Sequence, residues 1–227
     1  MDITWLGGSC FRLQSGALSI LTDPFDVPGG TTALAADIVT LSNRAARDRL
    51  VVNGPHRLVD GPGEYEITGV PVTGIATAAS SAVAAGDEAP PTAAPARNVV
   101  YTIVLDGVSV CHLGRLTQAP SGQQLQEFGS PDVLLLPIGE PAGLPVQRAV
   151  QLTSQLESRL LIPMTLGGAG DRAAVERFCR ELGADPANLM ARLTVTTSGL
   201  PAQPRVALLA SAGAGAAGVN AASSEPP

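Results

Sequence analysis

The chain has 227 residues, enough for one domain with or without a tail. Apolar residues make up 45% but aromatics only 3%, so Leu, Val, Ile and Ala must fill the core. The formal charge of -6 argues against non-specific binding to nucleic acid, which depends on neutralising many phosphates.

All 14 basic residues are Arg, a compositional bias rather than a functional sign. Met1-Asp2 runs straight into Ile3-Thr4-Trp5-Leu6, with no basic segment ahead of an apolar one. No apolar stretch reaches the roughly eighteen residues that a membrane-spanning helix needs. Cys10, Cys111 and Cys179 are far apart and odd in number, so they read as buried free thiols rather than a disulfide framework. These features lead us to expect a cytoplasmic protein that binds neither membrane nor nucleic acid.

Ile3 to Leu6, Cys10 to Leu13 and Leu18 to Leu21 are strand-length runs separated by Gly- and Ser-containing turns. Asp37 to Leu41 is a further short strand, and Asn43 to Leu50 a helical turn. Gly61-Pro62-Gly63-Glu64-Tyr65-Glu66 leads into an alternating strand through Val72. Residues 78–97 are rich in Ala, Ser and Pro, and too little of the segment can be buried to offset its ordering entropy; a flexible loop is expected. Val99 to Leu105 and Val108 to Leu113 flank Asp106-Gly107, a strong hairpin signal. Helices are expected at Ser121 to Phe128, Val146 to Leu156 and Ala173 to Leu182. Between them lie strands at Val133 to Leu136 and at Leu160 to Ile162, the latter closed by Pro163. Leu193 to Thr197 and Val206 to Leu209 are the last strands expected, and residues 211–227 a disordered tail. Strands and helices follow no regular βαβ rhythm, which predicts an α+β protein with two mixed sheets face to face and helices outside.

Several segments together resemble the metallo-β-lactamase superfamily, in particular its branch similar to L-ascorbate-6-phosphate lactonase. They are Ile3-Thr4-Trp5-Leu6-Gly7-Gly8-Ser9-Cys10-Phe11, Leu21-Thr22-Asp23-Pro24-Phe25, Ala36-Asp37-Ile38-Val39, Gly61-Pro62-Gly63-Glu64-Tyr65-Glu66, His112-Leu113-Gly114, Asp132-Val133-Leu134-Leu135-Leu136-Pro137 and Ile162-Pro163-Met164. The resemblance implies a four-layer αββα sandwich over residues 1–210, with 78–97 as a loop insertion and the active site along one edge of the sheets. It also implies a pair of zinc ions that activate water against an ester, lactone, amide or phosphodiester.

The ligands that this chemistry needs are replaced. After Ser42, where the family has H-x-H-x-D-H, the register places Asn43, Ala45 and Asp48 at the His positions and Arg47 at the Asp position. Ala79, Arg115 and Thr165 stand at the remaining ligand positions. The chain has two histidines in all. His112 closes an apolar strand and reads as a packed structural histidine, and His56 lies in a polar turn. Asp23, which in the family orients the ligand loop from behind the metal, is retained and has a structural explanation as a backbone acceptor. No Gly-x-Ser-x-Gly elbow or phosphate-binding loop is present.

The expected reading is a metal-free protein with no cofactor and no catalytic residues, acting in binding, scaffolding or regulation. Its partner would be a small molecule, a protein, a second copy or an active paralogue. The alternative is a metal-dependent hydrolase working through non-standard ligands. Asp23, Asn43, Arg47, Asp48 and Arg115 are the candidate cleft residues. Arg115 is expected to fill the metal space and pair with Asp48 or Asp23.

Overall fold

The computed structural model describes residues 1–25, 27, 34–78, 97–167 and 171–212. Strands β1 (Asp2–Gly7), β2 (Cys10–Ser15), β3 (Leu18–Thr22), β4 (Ile38–Thr40) and β5 (Arg57–Val59) open the chain. Strands β6 (Gly63–Ile67), β7 (Val70–Ala78), β8 (Arg97–Leu105) and β9 (Val108–His112) follow. Next come α1 (Gly122–Phe128), β10 (Val133–Pro137), α2 (Val146–Leu156), β11 (Leu160–Met164) and α3 (Asp171–Glu181). The short strands β12 (Leu189–Met190), β13 (Leu193–Thr194), β14 (Arg205–Val206) and β15 (Leu208–Leu209) end the described part.

Two mixed sheets stack face to face, as the sequence predicts. One has the order β13-β1-β2-β3-β4-β5 and the other β14-β11-β10-β9-β8-β7-β6, while β12 and β15 form a separate pair. The period-2 alternation of strands assigns each residue to a face. Ile3, Phe11, Leu13, Ile20 and Ile38 point inward and meet Tyr101, Ile103, Val110, Leu135 and Ile162 of the second sheet. Their neighbours Val100, Cys111, Leu134, Leu136 and Leu161 point outward against Phe128, Ala149, Leu152 and Phe178 of the three helices. Each such fully buried side chain stabilises the fold by about 1.5–3 kcal/mol. The outer face of the first sheet, Cys10, Leu21 and Val39, is covered among the described residues by Leu34, Leu50 and Val52. Beside them the 3-10 helix Arg44–Arg49 buries Ala46. All three cysteines are buried free thiols, and no helix of the described residues is long and apolar enough to cross a membrane.

The hairpin at Asp106-Gly107 forms as expected. Both residues have positive φ, 53° and 72°, as a two-residue turn matching strand twist requires. Ser121 caps α1 in a capping box with Gln124.

Other expectations are corrected. The segment after Gly61 is two strands, not one, because Thr68 and Gly69 both take positive φ and turn β6 back into β7. Arg57–Val59 is a strand parallel to β4. Of Leu193 to Thr197, Leu193 and Thr194 pair with β1 and Val195 exchanges two further backbone hydrogen bonds with Met1, after which a 3-10 helix starts at Thr197. Val206 to Leu209 divides between two sheets. Pro163 does not end its strand. Leu161 accepts from Ala207 on the β14 side, so Pro163, two residues on, turns its missing N–H the same way. There β14 no longer pairs, its ladder covering only Leu160 and Leu161. Of the loop expected over 78–97, Ala78 and Arg97 belong to β7 and β8 and the rest lies outside the described residues. So does all but the first two residues of the tail expected over 211–227.

Candidate functional site

The parallel run β9-β10-β11 brings the residues that follow these strands to one edge of the second sheet, and β3-β4 does the same in the first. The two edges are tied directly. The Val99 amide donates to Ser42 O at 2.8 Å, and the Tyr101 hydroxyl donates to Leu41 O at 3.2 Å. Burial raises the Tyr101 pKa well above the usual tyrosine range, with the Asp23 carboxylate adding to it, so the hydroxyl stays a donor.

Asp23 is fully buried with φ of 42°. Its Oδ1 accepts the Ser42 amide at 2.6 Å and its Oδ2 the Ser42 hydroxyl at 2.5 Å. The carboxylate thus closes onto its own neighbouring strand. Asn43 caps the 3-10 helix, its Oδ1 accepting the Ala45 amide at 3.0 Å. Ala45 and Asp48 are exposed on that helix. Arg47 donates to Asp60 Oδ2 at 3.1 Å, and Arg44 Nε lies 3.6 Å from the same oxygen.

Asn98 is the centre of the edge, and the sequence reading passed over it. Buried to 1% exposure, it donates from Nδ2 to Thr77 Oγ1 at 2.9 Å and to Leu113 O at 3.0 Å, and accepts the Arg115 amide at 2.9 Å. One available sign was an amide side chain near the start of an otherwise apolar strand, where it needs partners. Gly114, with φ of 60°, presses against this centre. A Cβ there would sit 2.5 Å from Ser42 Cβ and 2.6 Å from Asn98 Oδ1.

The ion pair expected for Arg115 does not form. Its backbone is fixed by Asn98, but among the described residues no carboxylate lies within 4.0 Å of its guanidinium. Asp23 is held by Ser42 and Asp48 faces solvent, so neither is available to it. Thr165 follows β11 half-buried, and Ala79 lies outside the described residues. His112 is fully buried in the inter-sheet core, edge-on to Phe11 at 6.3 Å. Neither ring nitrogen has a hydrogen-bond partner among the described residues. Burial lowers its pKa, opposed by the Asp23 charge and by the nearby Ser9 backbone, so the ring is neutral. His56 Nδ1 lies 3.1 Å from Gly54 O, in the turn before β5. The Cys10 thiol is pushed far up by burial and by Asp23, and Cys111 to about 12, so neither offers a thiolate.

Set against the zinc pair that the resemblance implies, these donors do not fit. The positions offer an amide used as a cap, two guanidinium cations, two methyl groups, a hydroxyl and one exposed carboxylate. Zinc sites take thiolate, imidazole and carboxylate ligands in near-fixed geometry. Among the described residues no three His, Cys, Asp or Glu side chains gather where they could share a cation.

Comparison with known proteins gives a consistent family. A protein of Methanoculleus marisnigri named a metal-dependent hydrolase is 28% identical over 184 residues, spanning 72% of this chain and 80% of its own. An Archaeoglobus fulgidus protein of the same name is 26% identical over 191 residues, with 72% and 82% covered. A crystal structure from Thermotoga maritima, assigned to the Zn-dependent hydrolases of the metallo-β-lactamase superfamily, superposes with a TM-score of 0.71. It is 27% identical and covers 92% of this chain and 97% of its own. Residues 2–165 match the family model described as the β-lactamase superfamily domain, and with the two packed sheets this makes the chain a member of that superfamily with the metallo-β-lactamase fold.

Proposed function

We propose that this chain is a metal-free member of its superfamily that binds a partner rather than hydrolysing one. The observation that carries the reading is the donor set. Asn43, Ala45, Arg47, Asp48, Ala79, Arg115 and Thr165 stand where the family's ligands stand, and no imidazole is among them. Guanidinium in place of carboxylate, at Arg47 and Arg115, removes the attraction for a cation and adds repulsion, and the imidazole positions hold amide, methyl, hydroxyl and carboxylate groups instead. Cytoplasmic location and descent from the branch similar to L-ascorbate-6-phosphate lactonase are part of this proposal.

The names of the relatives favour a second reading, a metal-dependent hydrolase of a lactone, ester or phosphodiester. Zinc titration of the full chain by calorimetry, in buffer freed of other metals, separates the two. The expected result is no stoichiometric site. A one-to-one or two-to-one isotherm with submicromolar affinity would overturn the metal-free reading in favour of the hydrolase.

A further inference from the structure

Beside Thr165 a cavity of about 460 Å³ opens between α3, the β12-β15 pair and β1. Its volume falls in the range of small-molecule sites, about 300–1,000 Å³. The apolar wall is made by Trp5, Pro163, Val175, Leu189, Leu208 and Leu209. Arg172, Val175 and Glu176 sit three and four residues apart, which puts them on one face of α3.

Three features of this wall point to a ligand. The Trp5 indole is fixed in advance, its Nε1 donating to Gly8 O at 2.9 Å and its ring stacked on Phe11 at 6.3 Å. Leu189 is 60% exposed, the most exposed large apolar side chain among the described residues, and it faces this cavity. The charges at the rim are already engaged. Arg172 pairs with Glu176 at 3.0 Å, and the Asp171 carboxylate accepts the Gly167 amide at 2.9 Å. Thr165, half-buried in the lining, offers a hydroxyl that can hydrogen-bond a guest.

We propose that this cavity binds a neutral, largely apolar small molecule whose one uncharged hydrogen-bonding group is directed at Thr165. An anionic guest would face the Asp171 carboxylate, would compete with Glu176 for Arg172, and would lose its hydration. The proposal deepens the binding reading above and is tested apart from it: zinc titration interrogates the donor set, whereas the experiment here interrogates the cavity.

Trp5 is the chain's single tryptophan, so its emission reports on this wall alone. The full-length protein is titrated with N-phenyl-1-naphthylamine, a neutral aryl amine that accepts energy from indole, in chelator-containing buffer. Saturable one-to-one quenching of Trp5 is expected. Leu189→Glu and, independently, the cavity-filling Val175→Phe should each weaken binding by about tenfold or more, equivalent to about 1.4 kcal/mol. The anionic analogue 8-anilinonaphthalene-1-sulfonate should bind about tenfold or more weakly than the neutral probe by the same measure. Unsaturable quenching, undiminished binding in whichever variant keeps the parent unfolding midpoint, or equal affinity for the anionic probe would overturn the proposal. Displacement of the probe by a peptide of residues 213–227 would overturn it too, naming that segment as the occupant.

Discussion

Gly114→Ala tests how tightly the edge is closed. The residue has φ of 60°, where an L side chain costs about 1–2 kcal/mol. The new Cβ would also lie 2.5 Å from Ser42 Cβ and 2.8 Å from Ser42 Oγ. Neither neighbour gives way cheaply, since Ser42 is held twice by Asp23 and Asn98 makes three hydrogen bonds. Overpacking of this kind adds about 1–3 kcal/mol, so the total loss is about 2–5 kcal/mol. In urea, with an m-value of about 2 kcal/mol/M, the midpoint should fall by about 1–2.5 M. Gly16→Ala is the control, because its φ of 53° is similar and a Cβ there meets nothing within 4 Å. It should show only the backbone part, about 1–2 kcal/mol. A Gly114→Ala loss no larger than that of Gly16→Ala would show that Ser42 and Asn98 are not held as described.

Two further outcomes follow from the same contacts. Burial depresses the folded pKa of His112 below its ordinary 6.5, so stability is full above that pH and falls as the unfolded chain takes up the proton first. Stability should therefore fall between pH 7 and 5.5, and His112→Phe should remove that part of the slope; an unchanged slope in the variant would contradict it. Arg47→Ala should cost less than about 1 kcal/mol in thermal unfolding, because its pair with Asp60 is half exposed to solvent, and a larger loss would mean that Arg47 packs rather than pairs.

The sequence made the first three strands legible because their apolar alternation is clean, and the Asp106-Gly107 hairpin because its turn chemistry admits few other conformations. Arg57–Val59 was not legible, since three residues after Gly54-Pro55 carry too little pattern to distinguish a strand from a loop. The two-residue strands near the end exist only through their partners. At the site, the register of motifs singles out Asn43, Arg47 and Arg115, but it does not give their partners. A guanidinium on a short loop reaches several carboxylates, and only the fold brings Asp60, thirteen residues on, nearer to Arg47 than Asp23. The partners of Asn98 are illegible for the same reason: its three bonds reach 15, 17 and 21 residues along the chain.

Pro163 has a consequence for how copies of this protein meet. Past Leu161, β11 runs on beyond its partner β14, and a strand adding there would need the donor that proline lacks. At the opposite margin, β6 exposes Glu64 and Glu66, whose like charges oppose a second β6 laid against them. The stretch of β11 beyond β14 and the β6 margin therefore both resist growth by strand addition. Pairing of copies through strands, including amyloid-like aggregation from the folded state, is disfavoured at these two stretches.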